Sequence, residues 1–178
     1  MIKKAEILAV LFVFLSFWTG SIQAEVMTIY LSAEVTYLDD PESLLEGEVN
    51  VGDAITGSYL YDSSTPDTDV LNLDTIGHYQ HSSSPFGVSL SMGGFTFQTD
   101  PDNVDFVITI LNNHNGGDMY GLLSYNNLPL SNGVHVENIA WQLDDYSGTA
   151  LSSDALPITP PVLTNWQDTW AHLNIAFG

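Results

Sequence analysis

From Val26 onward apolar and polar residues alternate, with Met27, Ile29, Leu31, Ala33, Val35 and Tyr37 on one parity and Thr28, Ser32, Glu34 and Thr36 on the other. A repeat of two over that length predicts a strand with one buried and one solvated face. Asp39-Asp40-Pro41-Glu42 ends it, and an acidic connection leads to Ile55 through Tyr61, where Ile55, Tyr59 and Tyr61 lie on one side. Asp62 through Asp74, with Pro66 and several Asp residues, reads as a loop. Phe86, Val88 and Leu90 then share a face, Gly93-Gly94 predicts a two-residue hairpin turn, and Phe95-Thr96-Phe97 returns across it.

Val104 to Leu111 is nearly all apolar and β-branched, as a central strand covered on both faces would be. Asn112 to Asp118 reads as a hairpin loop leading into Met119 to Tyr125, and a further strand runs from about Glu137 to Leu143 with Ile139 and Trp141. Pro157, Pro160 and Pro161 stiffen the path beyond, Leu163 to Asp168 can close into one helical turn, and Trp170 to Phe177 forms the last strand. About eight strands with no amphipathic helix and no internal repeat predict an all-β fold: one antiparallel β-sandwich of jelly-roll type over residues 25–178.

The first residues stand outside that pattern. Lys3 and Lys4 precede the apolar run Ile7 to Trp18, and Thr19-Gly20-Ser21-Ile22-Gln23-Ala24 follows, the layout of a secretory signal peptide over residues 1–24. The run is short for a membrane span, so the expectation is a secreted, extracellular or periplasmic protein with no stable membrane anchor. Export changes the charge picture. Lys3 and Lys4 are the only Lys or Arg residues, and of the 22 acidic side chains only Glu6 lies in the leader, so 21 carboxylates remain beyond it with no permanent cation. Nucleic acids and anionic membranes both demand basic side chains, and neither is an expected partner. No lysine can form a Schiff base, no arginine can clamp a phosphate, and the absence of Cys removes thiolate chemistry and disulfides.

Several short motifs carry a resemblance. Gly57-x-Tyr59-x-Tyr61-Asp62, Thr65-Pro66-Asp67, Gly77-x-Tyr79 and the Gly93-Gly94 hairpin, with the later Leu143-Asp144-Asp145-Tyr146-Ser147-Gly148 and Pro160-Pro161-Val162-Leu163, resemble a secreted β domain of environmental bacteria. That domain is often carried by proteins with a PEP-CTERM sorting tail. The resemblance implies a sandwich fold and export, and it transfers no catalytic residue. Such proteins typically continue past the last strand into Val-Pro-Glu-Pro-like residues, a hydrophobic span and an Arg-rich end. After Ile175-Ala176-Phe177-Gly178 these are not found, so a truncated chain or one released without sorting is expected.

Calcium is the ion best suited to a chain rich in hard oxygen donors. Three loops supply candidates: Asp62, Asp67 and Asp69; Asp100, Asp102 and Asp105; and Asn113, Asn115 and Asp118. None has EF-hand spacing, and turns select Asp and Asn on their own account. Trp141, Trp166 and Trp170, with Tyr120, Tyr125 and Tyr146, are candidate platforms for sugar rings, Trp166 in its Pro-rich loop being the one expected at the surface. His78-x-x-His81 lacks the third ligand and base of a zinc hydrolase, and Gly87-x-Ser89-x-Ser91 lacks the second Gly of a nucleophile elbow. The functional expectation is an exported, non-enzymatic envelope or extracellular-matrix interaction module. A calcium-dependent carbohydrate-binding module and a carboxylate-dependent glycoside hydrolase are the alternatives.

Overall fold

The structure is a computed structural model that describes residues 25–71, 73–167 and 174–177. Residues 1–24, read above as a signal peptide, and residues 168–173, with Trp170, lie outside the described residues. Two antiparallel sheets make up the described fold. The first holds β1 (Val26–Glu34), β2 (Ala54–Asp62), β4 (Gly87–Met92) and β5 (Phe95–Gln98) in the order β1-β2-β4-β5. Four strands of the second are β3 (Ile76–His81), β6 (Phe106–His114), β7 (Gly117–Ser124) and β8 (Val136–Asp145), and β9 (Asn174–Phe177) extends it to the order β3-β6-β7-β8-β9. The expected β-sandwich is therefore present. Its jelly-roll connectivity is not established by these ladders, because β1-β2, β4-β5 and β6-β7-β8-β9 are sequence neighbours paired directly.

Strand chemistry explains most of the placement. Gly93 and Gly94 have φ of 54° and 79°, the left-handed pair that a tight hairpin needs, and they set Met92 opposite Phe95. β6 is buried on both parities at Phe106, Val107 and Ile108, as its apolar run requires. β1 ends at Glu34, short of the expected Tyr37, which is 78% exposed. β3 is the strand that hydrophobic alternation does not show. Its inward residues are Gly77, Tyr79 and His81, which are polar or small, yet all three are buried.

An aromatic cluster joins the sheets. Tyr59 on β2 and Tyr120 on β7 are fully buried and share a hydroxyl–hydroxyl bond of 2.9 Å. Tyr61 stacks on Tyr59 with ring centres 6.0 Å apart, and Trp141 meets Tyr120 edge-on at 5.6 Å. Burial of such rings supplies a large share of the driving force, and the shared hydroxyl bond offsets part of the penalty of hiding two phenol groups.

The long segment after β8 is tied down by the same phenols. Tyr61 donates to the Pro157 carbonyl and Tyr79 to the Asp154 carbonyl at 2.8 Å. Gly77 permits this approach, since a Cβ there would collide with the Asp154 carbonyl and lie 2.6 Å from the Tyr79 ring. The expected helical turn appears as a 3-10 turn at Leu163–Asn165.

Candidate functional site

The candidate loops of acidic residues close their own turns. Asp62 Oδ1 accepts from the Ser64 amide and hydroxyl, Asp67 Oδ1 from the amides of Asp69 and His78, and Asp69 Oδ2 from Leu73. Asp100 Oδ1 accepts from the Asp102 amide, and Asp105 takes the Gln80 side-chain amide instead of facing Asp100. In the third loop Asn113 and Asn115 adopt φ of 53° and 54°, and Asp118 accepts the amides of Asn113 and Leu151 at 2.7 and 2.8 Å. Among the described residues no three His, Cys, Asp or Glu side chains gather as a metal-binding group.

Asp145 is the most fully engaged carboxylate. It faces Asp118 across the β7–β8 ladder and is buried, where it accepts from Ser147, Thr149 and Ala150. The Ser147 hydroxyl, and after it the Thr149 amide, hold this carboxyl far below the usual range. Asp118 and Asp145 together anchor the segment from Ser147 to Leu151. Their oxygens accept from fixed backbone and hydroxyl donors, which is a structural task.

His78 and His81 point to opposite faces of β3 and do not form one site. His81 is 3% exposed, packed against Phe86 and Phe106. Its Nε2 accepts from the Asp62 amide at 3.2 Å and bonds the Thr65 hydroxyl at 2.9 Å, which places the proton on Nδ1, an atom with no hydrogen-bond partner. Burial lowers its pKa, with backbone groups and the Asp62 carboxylate opposing more weakly. Since the unfolded ring takes up a proton near 6.5 and the buried ring resists it, the unfolded state binds more protons in the window just below. Stability should hold above pH 6.5 and fall beneath it, by at most about 1.4 kcal/mol per pH unit. Urea titrations between pH 8 and pH 5 check this, and a flat profile would refute it.

The expected surface tryptophan is in fact interior: Trp166 is 5% exposed and joins the core. Its loop folds back over the sandwich, so the ring covers apolar surface and offers no platform. Tyr120 and Trp141 are likewise buried, whereas Tyr125 and Tyr146 remain 49% and 69% exposed.

What the fold does build is a shallow trough of about 470 Å³ on the outer face of the second sheet. Strand register defines its floor. One row across the sheet is Gln80, Val107, Leu123 and Ala140; the next is His78, Thr109, Gly121 and Gln142; the third includes Leu111, Met119 and Asp144. Gly121 removes a side chain from the centre of the middle row. Around that gap Gln142 donates to both oxygens of Asp144 at 2.9 and 3.0 Å, and His78 Nδ1 lies 3.4 Å from the Thr109 hydroxyl. Most lining side chains are half-buried, and Tyr125 stands at the rim.

Sequence reasoning singled out His78, Tyr125 and Trp141 for other arrangements, but not Gln80, Thr109, Gly121, Gln142 or Asp144, and not the trough they form together. Outward residues on β6 and β7 hide inside runs that read as wholly apolar, and the one available signal was a glycine in mid-strand, which marks close approach to the backbone. A second, smaller hollow of 250 Å³ lies between Ser84 and Val88 on one side and Gln98 to Pro101 on the other. The buried Thr99–Ser124–Asn127 hydrogen-bonded chain includes no histidine or carboxylate to act as a base.

The described residues make an all-β, two-sheet fold with a shallow trough on the outer face of the second sheet. Compared with protein-family models, curated proteins and solved structures, the chain matches none.

Proposed function

We propose that the protein is an exported, non-enzymatic interaction module that binds envelope or extracellular-matrix material through the outer trough of its second sheet. The observation that carries this reading is the trough itself: a concave face with hydrogen-bonding and apolar side chains interspersed around the side-chain-free Gly121. Recognition sites of small ligands are typically concave, mostly preformed and furnished with a few placed polar groups. The leader-like sequence at residues 1–24 and the resemblance to secreted β domains support export. Asp145 and Asp118 are committed to holding the segment up to Leu151, and His81 is sealed among aromatic rings.

Cosedimentation tests the proposal. The full chain, expressed with its leader and recovered after export, is mixed with insoluble cell-envelope and matrix fractions. It is expected to pellet with at least one of them, while a Gly121→Val variant stays in solution. Retention of neither protein by any fraction would overturn the reading, as would equal retention of both.

A further inference from the structure

We infer that the trough takes a neutral oligosaccharide laid across β3, β6, β7 and β8 over Gly121, through side-chain contacts that need no calcium. This inference rests on the binding reading above and specifies its ligand.

Charge narrows the choice first. No Lys or Arg exists beyond residue 24, and the ionisable side chains lining the trough are His78, Tyr125 and Asp144, with the Asp105 carboxylate bonded to Gln80 beside it. A phosphate, sulfate or uronate would meet two carboxylates and no permanent cation, a juxtaposition that disfavours binding.

Backbone pairing narrows it again. β6 and β7 are hydrogen-bonded to neighbours on both sides, so the floor offers no free amide or carbonyl row to an extended peptide. Peptides that add to a sheet require an edge. A lipid or other wholly apolar occupant would strand the Gln142 and Gln80 amides, Thr109 and Asp144 away from water, each at a cost.

Sugar rings meet both demands. A pyranose has an apolar face and a rim of hydroxyls that donate and accept. Met119 and Leu123 flank the Gly121 gap along β7, offering an apolar seat. Gln142, Asp144, Thr109 and His78 ring it with donors and acceptors, and the Gln142 amide is held by its bonds to both Asp144 oxygens. Tyr125 at the rim gives a partly exposed ring for a neighbouring sugar. The four strands span roughly 14 Å, room for a short oligosaccharide.

Gly121 makes a useful test because it sits in regular strand and the nearest atoms to a Cβ there, from Met119 and the Trp141 carbonyl, are 3.6 Å or more away, an ordinary contact. Gly121→Val places its branched side chain in the gap, against the flexible end of Met119. The exported full chain, Gly121→Val and Gln142→Ala are titrated with defined neutral oligosaccharides, acidic oligosaccharides and phosphorylated sugars, in calcium and in chelator. The expected result is binding of a neutral member, unchanged by chelator, weakened about tenfold or more in both variants while their melting temperatures stay close to the parent. Should Gly121→Val misfold, Gln142→Ala, which only shortens an outward side chain, carries the test alone.

Preference for acidic sugars, loss of binding in chelator, or equal binding by Gln142→Ala would each overturn the inference. Cosedimentation with an envelope fraction combined with failure of every neutral sugar would also overturn it, leaving the broader binding proposal standing. Failure in both assays removes both.

Discussion

Tyr120→Ala is expected to lower the free energy of unfolding by about 3–5 kcal/mol, as removal of a large buried ring does when the surroundings relax only in part. That is a large share of the roughly 5–15 kcal/mol that holds a typical domain together. Tyr120 is fully buried, lies edge-on to Trp141, and its hydroxyl is bonded to that of Tyr59 across the two sheets. The milder Tyr120→Phe keeps the ring and isolates the hydroxyl. It strands the Tyr59 hydroxyl in the core, at about 1–3 kcal/mol, whereas Tyr59→Phe combined with Tyr120→Phe should recover part of that loss because neither polar atom is then left unpaired. Urea denaturation of the two single variants and the double, with unchanged dependence on denaturant, measures the cycle. A Tyr120→Phe protein as stable as the parent would show that the hydroxyl pair is not desolvated.

Alkaline pH should unfold the protein through the same phenols. Burial pushes Tyr61 up to about 12, and burial aided by the carboxylates of Asp67 and Asp154 pushes Tyr79 to about 12 as well. Tyr59 and Tyr120, deeper in the core, are raised further, again chiefly by desolvation. In the unfolded chain these groups release protons near 10, so above that pH the native state holds more protons than the unfolded one. Stability on this account is complete below pH 10 and declines as pH rises toward 12. Four buried phenols acting together make the decline steep, and cooperative unfolding within that window is the expected outcome. Tyrosinate absorbance and circular dichroism, followed together, check it. Full ionisation of every tyrosine while the β signal persists would count against the buried positions.

The residues that made the fold legible are those whose side chains report their own burial. Ile55, Tyr59 and Tyr61, or Phe95 and Phe97, alternate with polar neighbours, and Gly93-Gly94 admits the left-handed φ values of a tight hairpin at no steric cost. β3 escaped because Gly77, Tyr79 and His81 give little hydrophobic contrast. Trp166 misled because a Pro-rich segment looks exposed until the loop is seen to pack on the core. Individual acids of the three loops were legible as turn formers, but their partners were not: Asp118 holds Leu151 and Asp67 holds His78, pairs that only the folded loops bring within reach.

Taken alone, the order of residues determined an all-β chain with a leader-like start, no cation or thiol beyond it, and strands bounded by Asp, Asn, Gly and Pro turns. These follow from local geometry and composition, which act between neighbours in the chain. Tertiary structure decided which strands share a sheet, that Tyr59 meets Tyr120, that Asp145 is buried beneath its own loop, and that His78, Thr109, Gly121 and Gln142 line up across four strands. Those placements depend on register between segments far apart in sequence, where a shift of one residue would turn every side chain to the opposite face.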